Sequence, residues 1–382
     1  MPSPSPKVLF FQHSNHNGGA PRSLKQIVTA YEAEFGPQTV LFIRPGAVLE
    51  TYKDVQSKVI CGKVLMPFHG SEVSGMTWKL AVRNILGLLT VPGAYVKYLR
   101  GYDVVYLNSS ALCFYGLMVK TFSPRTRVIY HIREPLLHNG WGAVIRAALR
   151  RSADYVMAIS KNEMTNLRVP DVPGEVVYNY VHSTDYQPQR GNSLHRRDPK
   201  VGADKFVVGY FARVDAKNGI QDFLEIARRF EGDPTVAFCI YGHTGQEKGQ
   251  VQQLIAAAGP NVHVYPMVSD VPVNLGDLDL LLVPFRAPHF SRSVIEAAML
   301  GVPSIIYDIV SVNETVKDGM TGFVVPLGDV AAMGDRMAQI MADQALQTRL
   351  SAAAHDFALE SFSEHNYQQI RDAIHAQASA RT

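Results

Sequence analysis

Residues 278–308, LDLLLVPFRAPHFSRSVIEAAMLGVPSIIYD, bring together the groups best suited to holding a charged ligand. An apolar strand leads through a loop into a helix beginning at about Ser291, with Glu296 in its first turns. The backbone N–H groups of Ser291, Arg292, Ser293 and Val294 have no intrahelical partner there. With the helix dipole they form an anion site that would suit a diphosphate. A carboxylate one turn further in can accept hydrogen bonds from two vicinal ribose hydroxyls, although Glu296 taken alone also fits an ordinary first-turn carboxylate favoured by the dipole. Gly18 and Gly19 follow the first strand and precede a helix, and two glycines allow a ligand close to the backbone. His131 ends the strand RVIYHI, where the carboxyl end of a parallel strand faces a binding crevice, and Arg133 and Glu134 follow it as candidates for a second substrate. Asp277-Leu278-Asp279 has the spacing of a metal-chelating pair. It directly precedes a strand, however, and the histidines include no pair at zinc-ligand helical spacing beside a carboxylate, so no metal or other cofactor is expected. No Ser/His/Asp or Cys/His nucleophile arrangement is readable, and neither NGGAPR nor YGHTGQ has the glycine spacing of a nicotinamide site.

The elements that must position these residues alternate. KVLFF, TVLFI, DVVYLNSS, RVIYHI and DYVMAIS in the first half, and FVVGYFA, VAFCIYG, VHVYP, LDLLLVP, PSIIYD and GFVVP in the second, are apolar runs separated by helix-length amphipathic segments. Continuous apolar runs of this kind indicate parallel strands covered on both faces, hence two doubly wound α/β domains facing a cleft. The polar segment QPQRGNSLHRRDPKVGADK reads as the linker, and beyond GFVVP the chain reads as helical to its end. The expected division is 1–190, 191–365, and a closing helix over 366–382 that packs back on the first domain.

With 382 residues, 47% of them hydrophobic and 19% charged, the chain fits two globular domains. No basic start with a long apolar run and cleavage site opens it, and no stretch approaches twenty uninterrupted apolar residues, so neither export nor membrane spanning is expected. Three scattered cysteines argue against a disulfide framework and suit a reducing cytoplasm. The net charge of +3 divides unevenly, at about +9 over residues 1–190 and about −6 over the rest. A basic first half suits an anionic membrane surface or a phosphorylated acceptor, and chance variation of solvated charge fits equally. Nucleic acid is not expected, because no Lys/Arg block has interleaved aromatics. MTWKLAVRNILGLL and WGAVIRAALRR mix basic and apolar residues, as either membrane-surface or amphipathic core helices would.

PHFSRSVIEAAMLGVPSII resembles the signature of glycosyltransferase family 4, with Glu296 in its second Glu position. HSNHNGGAPRSLKQIVTAYEA is similar to that family's N-terminal Gly-Gly loop and helix, VVYNYVHSTDYQP to its interdomain strand and turn, FARVDAKNGIQDFLEIA to its phosphate-binding segment, and ESFSEHNYQQIRDAI to its closing helix. The resemblance implies the GT-B fold, two Rossmann-like domains, and a retaining, hexosyltransferase-like transfer from a nucleotide-diphosphate sugar to a glycan or lipid-linked acceptor, as in polysaccharide biosynthesis. It implies that Arg213 and Lys217 stabilise the departing diphosphate, that His131 contacts the sugar, and that Gly18 and Gly19 lie beside donor and acceptor. Asn218 stands where the family places its Lys, and Lys217 precedes it. Pro288 stands for the first signature Glu, and Val310-Ser311 for a Gly-Gly ahead of Glu314. These departures touch the sugar end of the site and imply an unusual donor preference. A transferase-like subunit without catalysis and a nucleotide-sugar epimerase are the alternatives. The implied location is cytoplasmic, peripheral at the inner face of the membrane.

Overall fold

The computed structural model describes residues 5–380 apart from 17, 63–64, 72–75, 188–190, 203, 243–247, 267, 269 and 289. It divides into two compact units, Met1–Asn179 with His365–Thr382, and Tyr180–Glu364. Their strands are the apolar runs of the sequence, buried on both faces because a helix covers each side.

In the first unit β1 (Val8–Gln12), β2 (Thr39–Phe42), β3 (Lys58–Cys61), β4 (Val104–Leu107), β5 (Arg127–Ile132), β6 (Tyr155–Ala158) and β7 (Gly174–Val176) form a parallel sheet in the order β3-β2-β1-β4-β5-β6-β7. Phe10 of β1 lies beside Val40 on one flank and Tyr106 on the other, all three fully buried. The edge strands β3 and β7 were not among the expected runs; both are short and partly exposed. The helix His365–Ser379 completes this unit by packing on the helix Gly19–Phe35 and on β4 and β5. Tyr31 Oη and His375 Nε2 lie 3.2 Å apart, and Arg371 pairs with Glu34 at 3.4 Å.

The second unit holds β8 (Phe206–Phe211), β9 (Val236–Tyr241), β10 (Val262–Tyr265), β11 (Leu280–Val283), β12 (Ser304–Tyr307) and β13 (Gly322–Val325), all parallel, in the order β10-β9-β8-β11-β12-β13. Beyond β13 the described chain is helical, in Val330–Ala342, Gln344–Ser361 and then His365–Ser379.

The segment read as a linker is anchored to this second unit. The carboxylate of Asp277 accepts the Gly191 N–H at 2.9 Å and the Ser193 N–H at 3.1 Å, and His195 is buried against the Tyr241 hydroxyl at 2.8 Å. Asp279 accepts from the Val207 N–H at 2.8 Å and from Arg196 at 3.0 Å. The Asp-x-Asp pair therefore ties a backbone down, a purpose its spacing does not reveal.

Candidate nucleotide and sugar sites at two switch points

In each sheet the chain winds outward to one side from a central strand and then restarts beside it on the other. The crevice beyond the carboxyl ends of those two neighbours is where open α/β sheets bind ligands. The neighbours are β8 and β11 in the second unit, and β1 and β4 in the first.

The loops after β8 and β11 touch. Gly219 has φ +71°, and a Cβ there would lie 1.8 Å from the Pro284 carbonyl oxygen, so no larger residue fits. The Arg286 N–H donates to the Lys217 carbonyl at 2.8 Å. Arg213 leaves the end of β8 with its side chain half exposed and Nε on Asp215 Oδ2 at 2.5 Å. Its carbonyl accepts from both the Tyr210 hydroxyl and Asn218 Nδ2, each at 2.9 Å, while the Asn218 N–H is capped by Asp215 Oδ1 at 2.9 Å. Asn218 is thus a brace for the Arg213 loop, and Lys217 beside it is exposed. Asp222 adds a second brace that sequence reasoning missed. It holds Arg286 with both oxygens, at 3.0 and 2.8 Å, and accepts from the Tyr307 hydroxyl at 2.8 Å.

After β11 the helix Arg292–Met299 starts from Ser291, whose hydroxyl lies 3.1 Å from that of Ser293 and caps no backbone N–H. The first-turn amides keep their anion-binding capacity. Val294 is buried and offers only its backbone. Glu296 is buried too, and its Oε1 accepts from Arg292 Nη2 at 3.0 Å and Nε at 3.2 Å. It is a charge-paired carboxylate rather than an open one. Ser311, where the resemblance places a glycine, is fully buried with φ +72°. A non-glycine residue pays roughly 1 kcal/mol for this left-handed backbone, so the chain retains a bend that favours glycine while adding a hydroxymethyl group. Pro288 is half-buried in the preceding loop.

At the β1/β4 switch point of the first unit, polar side chains interlock. Asn108 donates to Gln12 Oε1 at 2.6 Å and to the Ala20 carbonyl at 3.2 Å, and accepts from Arg133 Nε at 2.9 Å. Arg133 is buried, also donates to Asn179, and lies 3.3 Å from His131 Nδ1 through Nη2. A guanidinium can only donate, so Nδ1 accepts and Nε2 carries the ring proton. Burial first, and Arg133 second, hold the His131 pKa well below its usual range, so the ring is neutral. His131 is almost fully enclosed, with Tyr106 also hydrogen-bonded at Nδ1; its Nε2 meets no well-aligned hydrogen-bond partner among the described residues, and the Val177 backbone, which acts against the lowering of the pKa, lies beside the ring. Glu134 is more accessible. It accepts from the Ser109 hydroxyl at 2.6 Å, and Ser110 lies at 3.5 Å.

Gln12 Nε2, His13 Nδ1 and His69 Nε2 are likewise buried, with no hydrogen-bond partner among the described residues. Burial lowers the pKa of both histidines, and Glu134 partly offsets this at each. Buried polar atoms left unsatisfied call for a partner from outside the chain, a water or a ligand, and their gathering at one strand end makes this a candidate ligand site. Gly18 fits the same reading, because a Cβ there would meet nothing within 4 Å and its lack of a side chain serves open space, not packing. Gly19 opens the helix beside it, and residue 17 lies outside the described residues.

Residues 192–357, which contain the whole β8/β11 site, match the family model of glycosyl transferases group 1. The second unit is a group 1 glycosyl transferase domain. Among curated proteins the chain is 26% identical over 159 residues to the capsular polysaccharide biosynthesis glycosyltransferase CapM of Staphylococcus aureus, covering 41% of this chain and 42% of that protein. It is 26% identical over 239 residues to the lipopolysaccharide core biosynthesis mannosyltransferase LpsB of Rhizobium meliloti, covering 60% and 65%. The chain thus spans about half the length of the curated relatives it matches. Among solved structures, Anabaena Alr3699/HepE in complex with UDP superposes with TM-score 0.79 at 21% identity, covering 97% of this chain and all of that one. The sucrose-phosphate synthase of Thermosynechococcus elongatus gives TM-score 0.77 at 16% identity, covering 99% and 100%. These likenesses make the fold GT-B, with the group 1 domain supplying the second of its two Rossmann-like units. The β8/β11 residues Arg213, Lys217, Ser291 and Glu296 all belong to that domain; Gly18, Gly19, His131, Arg133 and Glu134 precede it.

Proposed function

We propose that the protein is a retaining glycosyltransferase that moves a hexose or modified hexose from a nucleotide-diphosphate sugar to a glycan or lipid-linked acceptor in polysaccharide assembly. It would work on the cytoplasmic side, peripherally at the membrane. The observation that carries this reading is the β8/β11 crevice of the group 1 domain, where a helix without a side-chain cap and the cation of Arg213 offer a fixed seat for a diphosphate. In the reaction the bond from the anomeric carbon to the diphosphate breaks and its electron pair goes to the phosphate oxygen. Arg213, Lys217 and the amides of Ser291 to Val294 stabilise that charge where it grows. The acceptor hydroxyl attacks the same face, and its proton passes to the departing phosphate oxygen. No protein nucleophile is required. Glu296 takes the ribose hydroxyls, and the neutral Nε2–H of His131 is a donor suited to a sugar oxygen, with Arg133 and Glu134 ordering the acceptor side. No metal takes part in these steps.

Pro288 leaves no carboxylate for a sugar hydroxyl at the first signature position, which supports a deoxy or otherwise modified donor sugar; little is lost where no protein group goes unpaired. It equally motivates the reading of an inactive subunit. Thermal-shift measurements with uridine, guanosine, adenosine and thymidine diphosphates test the nucleotide site, and uridine diphosphate leads because the Anabaena protein of similar fold binds UDP. At least one diphosphate is expected to raise Tm, and no shift with any of them rejects the site. A panel of nucleotide sugars with and without acceptor then separates the readings: transfer supports the enzyme, binding without turnover the inactive subunit, and a changed nucleotide sugar without acceptor the epimerase.

A further inference from the structure

The helix Trp78–Leu88 and its cap Leu89 turn an apolar face outward. A surface helix of a globular protein turns its apolar stripe to the core. Here Trp78, Val82, Ile85, Leu86 and Leu89, spaced as one helical face, point into solvent, with Trp78 74% and Leu89 77% exposed. The inward face carries the buried Asn84 and Gly87, with Leu88 beside them lining a small cavity against Met66, Phe68 and Tyr115. Asn84 is spent on the backbone of His69, accepting its N–H at 2.7 Å and donating to its carbonyl at 2.8 Å. Val96 and Phe122, whose ring lies 5.5 Å from that of Tyr95, are exposed elsewhere in the same unit. Apolar exposure concentrated in this way marks an interaction surface.

The charges around the stripe say what covers it. Between Glu72 and Asp103 the chain has Lys79, Arg83, Lys97 and Arg100 and no carboxylate. Lys79 and Arg83 sit one residue after Trp78 and Val82 and so border the apolar face on one side. The Lys79 ammonium lies 5.9 Å from the Trp78 ring centre, and that of Lys97 5.1 Å from Tyr98. A rim of one sign around an apolar face calls for an anionic occupant that is apolar within. An anionic bilayer is one, because its headgroups attract lysine and arginine while indole and aliphatic side chains enter the acyl boundary. The second mixed segment of the sequence makes the contrast. In the helix Gly140–Ser152, Ile145 and Leu149 are buried in the core and Arg146 is spent on the carbonyls of Leu167 and Leu137 at 3.1 and 2.9 Å. That helix is internal scaffolding.

We infer that the Trp78–Leu89 face is a membrane-docking surface that lies in the headgroup plane of an anionic lipid bilayer, with Trp78, Ile85 and Leu89 as its inserting residues. This deepens the membrane clause of the function proposed above. The test sediments the full chain with vesicles of phosphatidylcholine containing phosphatidylglycerol, and with phosphatidylcholine alone, at low and high salt. Trp141→Phe leaves Trp78 as the only indole, because the sequence has two tryptophans. Expected results are binding to the anionic vesicles that weakens with salt, a blue shift of Trp78 emission on binding, and at least a tenfold lower partition coefficient for the triple variant Trp78→Ser, Ile85→Ser, Leu89→Ser. No binding at low salt, triple-variant binding equal to the parent, or a concentration-dependent dimer that the triple variant abolishes would each overturn the inference, the last by showing a second copy on this face. The nucleoside diphosphate thermal shift of the triple variant is read in parallel. If it matches the parent, the variant is folded and the nucleotide site stands or falls separately.

Discussion

At the scale of single residues, the sharpest question is what Glu296 does while tied to Arg292. Both side chains are nearly buried, and removing one partner of a buried pair strands the other charge. Glu296→Ala therefore confounds binding with stability, whereas Glu296→Gln keeps the volume and one hydrogen-bond acceptor. We expect Glu296→Gln to weaken nucleoside diphosphate affinity by about 1.5 to 3 kcal/mol, the worth of hydrogen bonds to a charged acceptor, with a smaller change in the Tm of the free protein. Isothermal titration beside thermal unfolding checks this, and unchanged affinity with a large fall in Tm would make the pair purely structural. Glu296 and Ser291 were readable in the sequence because they share one helix and its entry. Gln12, His13, Asn108 and His69 were not, since each is a polar residue at the end of an apolar run or in a loop, where turn chemistry explains it equally well. FFQH and LNSS did carry a signal, in that polar residues follow immediately on a buried strand, but only the order β1 beside β4 brings them together.

At the scale of elements, the segment read as a linker is the instructive error. Its polarity was real, yet polar residues can be buried when each is paired, and Asp277, Tyr241 and Asn274 pair them here. The arrangement has a pH dependence. Burial, its largest cause, pushes the His195 pKa down to about 4, whereas in an unfolded chain it is about 6.5. Above pH 6.5 the ring is neutral in both states and the native arrangement is at full strength. From about 6.5 down to about 4 the unfolded chain binds a proton that the folded one refuses, so stability falls with pH by up to about 1.4 kcal/mol per unit, and below that this group adds nothing further. Urea unfolding at pH 7, 6 and 5 should show the slope, and His195→Gln should flatten it; an identical slope in the variant would place the pH dependence elsewhere. The edge strands β3 and β7 escaped sequence reasoning for a related reason. An edge strand needs apolar residues on fewer sides, so KVIC and GEV carry too little pattern to stand out from the loops around them.

At the scale of the whole molecule, the alternation of strands and helices was legible for every strand but the edges β3 and β7, because inner parallel strands must be apolar on both faces, whereas strand order is set by crossovers that leave no mark in composition. The order also bears on whether the proposed transfer needs a metal. Asp277 and Asp279 are spent on the backbone at the start of β8 and β11, the opposite end of the sheet from Arg213 and Ser291. Transfer activity should therefore survive excess EDTA, and its loss with recovery on adding magnesium or manganese would require a metal seat elsewhere. The return of the helix His365–Ser379 to the first unit has a consequence for how the protein is made. Emerging from the ribosome, the first unit has its seven strands after residue 176 but lacks the helix that covers β4, β5 and Tyr31 until the entire second unit has followed. Domains ordinarily fold in order of synthesis, but here the later one can close first, and the nascent earlier one waits with apolar surface uncovered, a natural client for a chaperone during that interval.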